Sequence, residues 1–399
     1  MCSSDPRVKE YFVSFLILET GMLGVFLALD LFLFYIFWEV VLVPMYLIIG
    51  IWGGADRIYA TIKFVLYTLV GSLLMLVAIL ATAFSHQAVT GSWTGAFDLL
   101  ALRGTVADPT LQILGFAAFA LAFAIKVPMF PFHTWLPDAH TEAPTVGSVI
   151  LAAVLLKLGT FGFVRIALPI LPEGAETWAP WIGLLAAIGI IYGALACLAQ
   201  TDMKRLIAFS SVAHMGFVML GIATLTTFGI NAAIFGMVAH GLITGLLFFV
   251  AGSVQHTYHT REMKRLGGLL QSAPRMGWIL GFAVMASLGL PGLAGFWGEF
   301  PSILSAYRPA AGLSVTAFRT FMVVAAVGTV LAAGYLLWMY QRVAFGVPKE
   351  EFADAHIHDV GPAEWMAWTP LIVLTIALGV YPQLIFGVTD RAVTRIFGG

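Results

Sequence analysis

The sequence contains few charged residues. Of its 399 residues, 10% are Asp, Glu, Lys or Arg and 60% are hydrophobic, with a mean hydropathy of +0.95. Soluble domains carry about 25% charged residues, so this composition excludes an ordinary soluble domain and indicates a protein that lies in lipid. The formal net charge of −1 gives no indication of a nucleic-acid partner.

Cysteine and cofactor-binding motifs are also scarce. Cys2 and Cys197 lie far apart and form no C-x-x-C, which argues against an iron–sulfur cluster, a structural zinc site or a disulfide framework. There is no phosphate-binding loop, no G-x-G-x-x-G opening a helix after a strand, and no nucleophile elbow. The motif His356-x-His358, beside Asp354, is interpreted as a solvated loop rather than a metal site. We therefore expect neither a bound cofactor nor a metal in this chain.

Long apolar runs dominate the rest of the sequence. A membrane-crossing helix needs about 20 apolar residues, and continuous runs without a period of two predict helices rather than a barrel. The polar residues 1–10 lack the apolar core and cleavage site of a signal peptide. We predict an all-α polytopic membrane protein with about 11 transmembrane helices. Their approximate ranges are 11–28, 31–52, 60–83, 112–130, 144–168, 181–199, 206–225, 230–254, 276–304, 316–345 and 366–388.

Two of the predicted spans are interrupted by proline and glycine. The fourth ends in the stretch from Lys126 to Pro137, and the ninth contains Gly289-Leu-Pro-Gly-Leu-Ala-Gly-Phe-Trp-Gly-Glu-Phe-Pro301. The two interrupted helices start from opposite membrane faces, which is typical of transporters built from inverted repeats. We predict two inverted five-helix halves, residues 1–168 and 169–345, followed by a loop and a last helix in 346–399.

The basic residues are distributed unequally between the two predicted faces, and the richer face is predicted to be cytoplasmic. Arg103, Arg165, Arg308, Arg319, Arg391 and Arg395 lie on the poorer face. The richer face holds Arg7, Lys9, Arg57, Lys63, Lys204, Arg205, Arg261, Lys264, Arg265, Arg275, Arg342 and Lys349.

Three ionisable residues fall inside the first predicted half of the membrane domain. Lys126 precedes Pro128, which must kink or stop its helix, and Lys157 lies in the middle of an apolar run. A buried charge in a membrane is a functional hypothesis by default, although Lys126 could snorkel to an interface. Glu39 lies mid-span, five residues before Pro44, and a Glu–Lys pair can release a proton when it separates. A purely structural ion pair is the alternative.

Three further ionisable residues fall inside the second predicted half. His214 and His240 occupy neighbouring spans, and histidine can relay protons through its two ring nitrogens. A lone histidine in an apolar helix is more often a core hydrogen-bonding group, but two on adjacent spans favour a relay. Glu299 follows the second break, and we predict that it is the last of a line of polar side chains in the membrane. Asp138, His140 and Glu142 are interpreted as loop or cap residues.

The sequence resembles the antiporter-like membrane subunits of respiratory complex I, and among these the chain M group of bacterial proton-pumping NADH:quinone oxidoreductases (chain 4 in mitochondria). Four stretches carry the resemblance. They are Phe130-Pro-Phe-His-Thr-Trp-Leu-Pro-Asp-Ala-His-Thr-Glu-Ala-Pro144, Phe37-Trp-Glu-Val-Val-Leu-Val-Pro-Met45, Asp202-Met-Lys-Arg-Leu-Ile-Ala-Phe-Ser-Ser-Val-Ala-His-Met-Gly216 and Leu290-Pro-Gly-Leu-Ala-Gly-Phe-Trp-Gly-Glu299. The match covers nearly the whole chain.

The resemblance implies a role for each buried ionisable residue. Proton translocation in the family is carried by residues that match Glu39, Lys126, Lys157, His214, His240 and Glu299. It further implies that NADH, FMN, iron–sulfur clusters and quinone are bound by other subunits. Family members have fourteen helices, and the Glu39 motif arrives about three helices early, so this sequence is expected to be shortened at its N-terminus relative to the family.

The function expected from these observations is proton translocation in a bacterial inner membrane, driven by quinone reduction in partner subunits of an NADH:quinone oxidoreductase. Two rivals share the fold and the lysines: a subunit of a multi-subunit cation/proton antiporter and a subunit of a membrane-bound hydrogenase. A third alternative is a structural scaffold whose buried charges serve only packing.

Overall fold

The computed structural model describes residues 6–352 and 357–398, which form helices and turns without a β-strand. Fourteen helices are named here in chain order. They are α1 (Val8–Leu27), α2 (Leu31–Trp52), α3 (Arg57–Thr90), α4 (Pro109–Lys126), α5 (Trp135–Glu142), α6 (Thr145–Ile170), α7 (Pro172–Leu198), α8 (Met203–Ala223), α9 (Thr227–Tyr258), α10 (Pro274–Ser287), α11 (Ala294–Ser305), α12 (Val315–Ala344), α13 (Pro362–Val380) and α14 (Gln383–Phe397). Cys2, Asp354 and His356 lie outside the described residues, so the solvated-loop interpretation stays a prediction.

Ten of the described helices are long and apolar enough to cross a membrane, and the predicted all-α membrane fold is confirmed. Two predicted spans differ from a single continuous helix. The eleventh, 366–388, crosses the end of α13 at Val380 and the start of α14 at Gln383, and the other is the ninth. It is divided into α10 and α11, each too short to cross a membrane alone, and they are separated at the predicted Gly/Pro stretch. Gly289 and Gly292 there have φ values of 71° and 94°, a region that glycine adopts without strain.

The first interrupted helix ends where proline requires it to end. Helix α4 stops at Lys126 because Pro128 has no N–H and its ring clashes with the preceding turn. Carbonyl groups freed by such a break must find partners when water is excluded. The indole Nε1 of Trp135, on α5, donates a 2.9 Å hydrogen bond to the carbonyl oxygen of Ile125. Trp135 thus supplies a hydrogen-bond donor for one of the carbonyl groups at the broken end of α4.

The short helix α5 corrects one sequence interpretation. Asp138, His140 and Glu142 lie on this helix rather than in a loop. The carboxylate of Asp138 pairs with Lys63 of α3 at 2.7 Å, and Glu142 accepts a 2.9 Å hydrogen bond from the backbone N–H of Asp56. Sequence patterns favoured a loop because the residues are polar, whereas contacts with α3 and the turn before it hold the segment helical.

The predicted boundary between the first two spans is confirmed at Asp30. Helix α1 ends at Leu27 and α2 begins at Leu31, with Asp30 as its N-cap. One oxygen of the Asp30 carboxylate accepts from the N–H groups of Phe32 and Leu33, both at 2.9 Å. An aspartate that satisfies two of the free N–H groups at a helix start stabilises that start by about 1 kcal/mol.

The chain divides into two compact units. The first contains most residues up to Ala179, and the second contains most residues from Pro180 onward. The first unit holds Glu39, Lys126 and Lys157, and the second holds His214, His240 and Glu299. Assignment of the halves 1–168 and 169–345 as inverted repeats stays a prediction.

Candidate proton-translocation site

Lys126 is buried against aromatic rings in the first unit. Its side chain is 2% exposed, so it does not snorkel to an interface. The amine nitrogen lies 5.4 Å from the ring centroid of Trp38 on α2 and 5.6 Å from that of Phe64 on α3. Cation–π contacts of this kind contribute about 2 kcal/mol when water is excluded. The two rings therefore stabilise a positive charge on Lys126, and they do so without carrying a negative charge of their own.

Glu39 acts on Lys126 through its charge. The carboxylate of Glu39, on α2, is the acidic group whose electrostatic influence reaches the Lys126 amine. Its Oε1 atom is buried and has no hydrogen-bond partner among the described residues. The Glu39–Lys126 pair stays a prediction. An oxygen without a partner at this place is an acceptor ready to take a proton or a hydrogen bond.

Lys157 is buried at 5% exposure in the middle of α6. It lies in a short α-helical stretch between two π-helical turns, Leu151–Leu155 and Phe163–Ala167. Single π-helical turns inside α-helices are frequent at functional sites, because they disturb the regular backbone hydrogen bonds. Two residues further on, a Cβ on Gly159 would lie 2.7 Å from the carbonyl oxygen of Phe123. The absence of that Cβ lets α6 approach α4 closely.

The second unit contains a histidine with a partner at each ring nitrogen. Nδ1 of His214, on α8, lies 2.6 Å from Oε1 of Glu299 on α11. Nε2 lies 3.2 Å from the hydroxyl of Ser287 on α10 and 3.1 Å from the hydroxyl of Tyr335 on α12. A ring that donates from Nδ1 to the carboxylate presents Nε2 as the acceptor of the two hydroxyls. Four helices therefore position one imidazole for proton transfer.

His240, on α9, is the second histidine of this cluster. The centroids of the His214 and His240 rings are 6.1 Å apart. Both rings line a cavity of about 20 Å³, together with Glu299, Ser287 and Thr244. One water molecule needs about 10–15 Å³ and two or more polar partners, so the cavity has the size and lining for one. The arrangement can pass a proton between the two rings.

Two glycines bring the helices of this cluster together. A Cβ on Gly298 would lie 2.4 Å from the Cα of Gly236, so α9 and α11 contact each other backbone to backbone. Gly298 also precedes Glu299 in the chain. We predict that Gly298→Ala destabilises the protein by about 1–3 kcal/mol, since overpacking forces the two backbones apart. Thermal unfolding of the purified protein measures this loss.

Gly334→Ala is the matched control for that prediction. Gly334 lies within α12, and a Cβ placed on it would have no atom within 4 Å. The control variant is expected to unfold at the temperature of the parent or above it, because alanine favours the helix. Equal unfolding temperatures for Gly298→Ala and the parent would contradict the close contact of α9 with α11.

The side chains that contact these ionisable residues were not predicted from the sequence. Ser287 and Tyr335 were not predicted, because serine and tyrosine are ordinary components of membrane helices and nothing in their spacing sets them apart. Trp38 and Phe64 were missed for the same reason. The π-helical turns around Lys157 have no pattern that separates them from a regular helix. The proton-translocating roles of the six predicted residues stay predictions at this stage.

Comparison with known proteins identifies the relatives of this fold. A model of the NADH:quinone oxidoreductase/Mrp antiporter transmembrane family matches residues 28–331. NADH-quinone oxidoreductase subunit M of Rhodobacter capsulatus is 46% identical over 397 residues, which are 98% of this chain and 76% of that protein.

Solved structures show the same similarity. A chain of respiratory complex I from Thermus thermophilus with bound NADH superposes with a TM-score of 0.87 at 34% identity, covering 98% of this chain and 80% of that one. A chain of the Mrp complex from Dietzia sp. superposes with a TM-score of 0.82 at 21% identity, covering 96% of this chain and 77% of that one, which shows a shared fold. The chain is thus a multi-pass integral membrane protein that belongs to the NADH:quinone oxidoreductase/Mrp antiporter transmembrane family.

Proposed function

We propose that this chain is the proton-translocating M-type membrane subunit of an NADH:quinone oxidoreductase in a bacterial inner membrane. In this proposal NADH, FMN, the iron–sulfur clusters and quinone are bound by partner subunits. The chain itself holds and moves protons, and quinone reduction elsewhere in the complex drives the movement. Membership of the family and 46% identity to a subunit M support the assignment to this complex.

The observation that carries the proton-translocating role is the cluster of His214, His240 and Glu299. Three ionisable side chains from three membrane helices meet at a cavity with room for one water molecule. A contact kept only for stability does not need a second histidine or a water-sized cavity beside it. Ionisable groups within membrane helices are costly to insert, by about 2.5–3.5 kcal/mol for Lys, Arg or Asp at the helix centre, so their grouping indicates function.

The proposed chemistry uses the two ring nitrogens of His214. In this proposal a negatively charged Glu299 pairs with an imidazolium at His214 through the 2.6 Å contact at Nδ1. A proton that reaches Glu299 ends this charge pairing, and His214 then releases its own proton from Nε2 towards the hydroxyls and the cavity. His240 accepts it through the water-sized gap. In this proposal, proton uptake at Glu299 is thus coupled to proton release from His214.

The first unit uses lysine in the corresponding manner. A cation beside aromatic rings, with a carboxylate acting through space, is the arrangement of Lys126 and Glu39. In this proposal, the pair separates when the carboxylate takes up a proton, and the amine then gives up its own proton. Lys157, buried further along the chain, is the next group that can accept a proton in this proposal.

The antiporter alternative shares the fold and is distinguished by experiment. Everted membrane vesicles from a strain lacking this chain would be tested for NADH-driven proton uptake and for cation-induced proton release. Loss of NADH-driven uptake with unchanged cation-induced release, restored by a plasmid copy of the gene, is the expected result. Unchanged NADH-driven uptake with lost cation-induced release would contradict the proposal and favour the antiporter.

A further inference from the structure

A basic groove lies at the C-terminal end of α12, away from the buried ionisable residues. The turn between α9 and α10 forms one wall, and the segment after α12 forms the other. The groove has a volume of about 610 Å³, within the range of about 300–1,000 Å³ that small-molecule sites occupy. The residues that define this basic groove are Lys264, Leu266, Trp338, Arg342, Phe345 and Lys349.

Three cations line the basic groove, and no acid is among its described lining residues. Glu351, two residues after Lys349, does not line the groove and forms an ion pair with Arg265 at 2.8 Å. Glu350 follows Lys349 directly and is exposed. The C-terminal end of α12 contributes about half a negative charge, which three full positive charges outweigh. The groove is therefore a site for an anion.

The aromatic residues of the groove place that anion at the membrane boundary. The guanidinium carbon of Arg342 lies 4.2 Å from the ring centroid of Trp338, a contact that holds both side chains at the end of a membrane-length helix. Tryptophan is enriched where the membrane meets water. Phe345 and Val347, just beyond, are 53% and 71% exposed, and present apolar surface beside the cations. An anion with an attached apolar chain contacts both kinds of surface.

We propose that the basic groove binds the phosphodiester headgroup of an anionic phospholipid. Arg342 and the two lysines neutralise the phosphate, while the lipid chains lie along the exposed apolar surface next to α12. Lys264, Arg342 and Lys349 all belong to the face that the sequence predicts to be cytoplasmic, where anionic lipids attract basic residues. Inorganic phosphate is also an anion that cations attract, but it has no apolar chains. The site is independent of the proposed proton translocation.

Photo-crosslinking of the intact complex tests this proposal. The purified complex, reconstituted in phosphatidylcholine nanodiscs, is labelled with a photoactivatable phosphatidylglycerol, and labelled peptides are mapped by mass spectrometry. We expect labelling around residues 338–349, competed by unlabelled phosphatidylglycerol and not by phosphatidylcholine. Millimolar inorganic phosphate should not compete. Equal competition by phosphate would indicate that the groove binds a free anion and not a lipid. Absence of labelling in this segment would overturn the site itself.

Variants of the groove give the second readout. Each cation near an anionic headgroup strengthens binding by about fivefold. Lys264→Gln, Arg342→Gln and Lys349→Gln together should therefore raise the probe concentration for half-maximal labelling by about a hundredfold. Arg275→Gln is the matched control, since Arg275 is exposed on the same predicted face and does not line the groove. If the triple variant does not assemble, Arg342→Gln alone is used, with an expected fivefold effect. Labelling of the assembled variants at the parent's level would overturn the proposal.

Discussion

Lys126→Met should reduce NADH-driven proton pumping at least about tenfold while leaving the complex assembled, because a group that transfers protons contributes a large factor to the rate. Methionine has a similar length and no charge, so it fills the space beside Trp38 and Phe64. Because Lys126 is one partner of a proposed buried charge pair, its removal leaves Glu39 without a cation, so the check of assembly is an essential part of this test. Proton uptake by vesicles, with assembly checked on a native gel, measures the effect.

Lys9→Met provides the comparison for that variant. Lys9 is exposed at the start of α1, and its replacement should leave pumping unchanged. Normal pumping by an assembled Lys126→Met complex would leave Lys126 as a structural charge, which is the scaffold alternative. Lysine at this place would then serve only to pack against the two rings.

Glu299→Gln should have an effect of comparable size, with a loss of at least about tenfold in NADH-driven quinone reduction and pumping. Glutamine keeps the size of the side chain and can still hydrogen-bond to Nδ1 of His214. It cannot carry the negative charge that stabilises a protonated imidazole at 2.6 Å. The link between protonation of residue 299 and the proton affinity of His214 is therefore lost. Initial rates in membranes, normalised to the amount of assembled complex, give the measurement.

Two companion variants separate charge from hydrogen bonding in this cluster. Tyr335→Phe removes one hydroxyl from Nε2 of His214 and leaves the ion pair intact, so we expect a loss of about threefold, in line with one neutral hydrogen bond. Glu173→Gln, at an exposed position near the start of α7, should have no effect. If Glu299→Gln and Glu173→Gln gave the same rate, Glu299 would have no part in proton transfer.

Particular residues show how far the sequence alone determines this fold. Pro128 ends α4 beside Lys126 for a local steric reason, and Asp30 caps α2 by a local hydrogen bond, so both were predictable. The Gly/Pro stretch before α11 was predictable on the same grounds. Long apolar runs predicted the membrane helices because their length and hydropathy are local properties. Structural features that depend on a few neighbouring residues can be predicted from the sequence.

Features that depend on contacts between distant residues could not be predicted. Helix α5 carries polar residues that contact Lys63 and the turn at Asp56, both far away in the sequence. Tyr335 reaches His214 across 121 positions of sequence, and its neighbours in the chain give no sign of it. The six ionisable residues were found because charge is rare in this composition, whereas the side chains that position them are common residue types. The sequence therefore predicts the groups at the site better than their surroundings.

The most direct test of the central claim is the number of protons pumped per NADH oxidised by an assembled Lys157→Met complex in sealed vesicles. Lys157 is buried at 5% exposure in the middle of α6, where a charge is costly to keep. If the buried ionisable residues carry protons, this substitution abolishes pumping and slows the coupled oxidation of NADH. An unchanged proton-to-NADH ratio at the parent's rate would contradict the claim that these residues form the proton path.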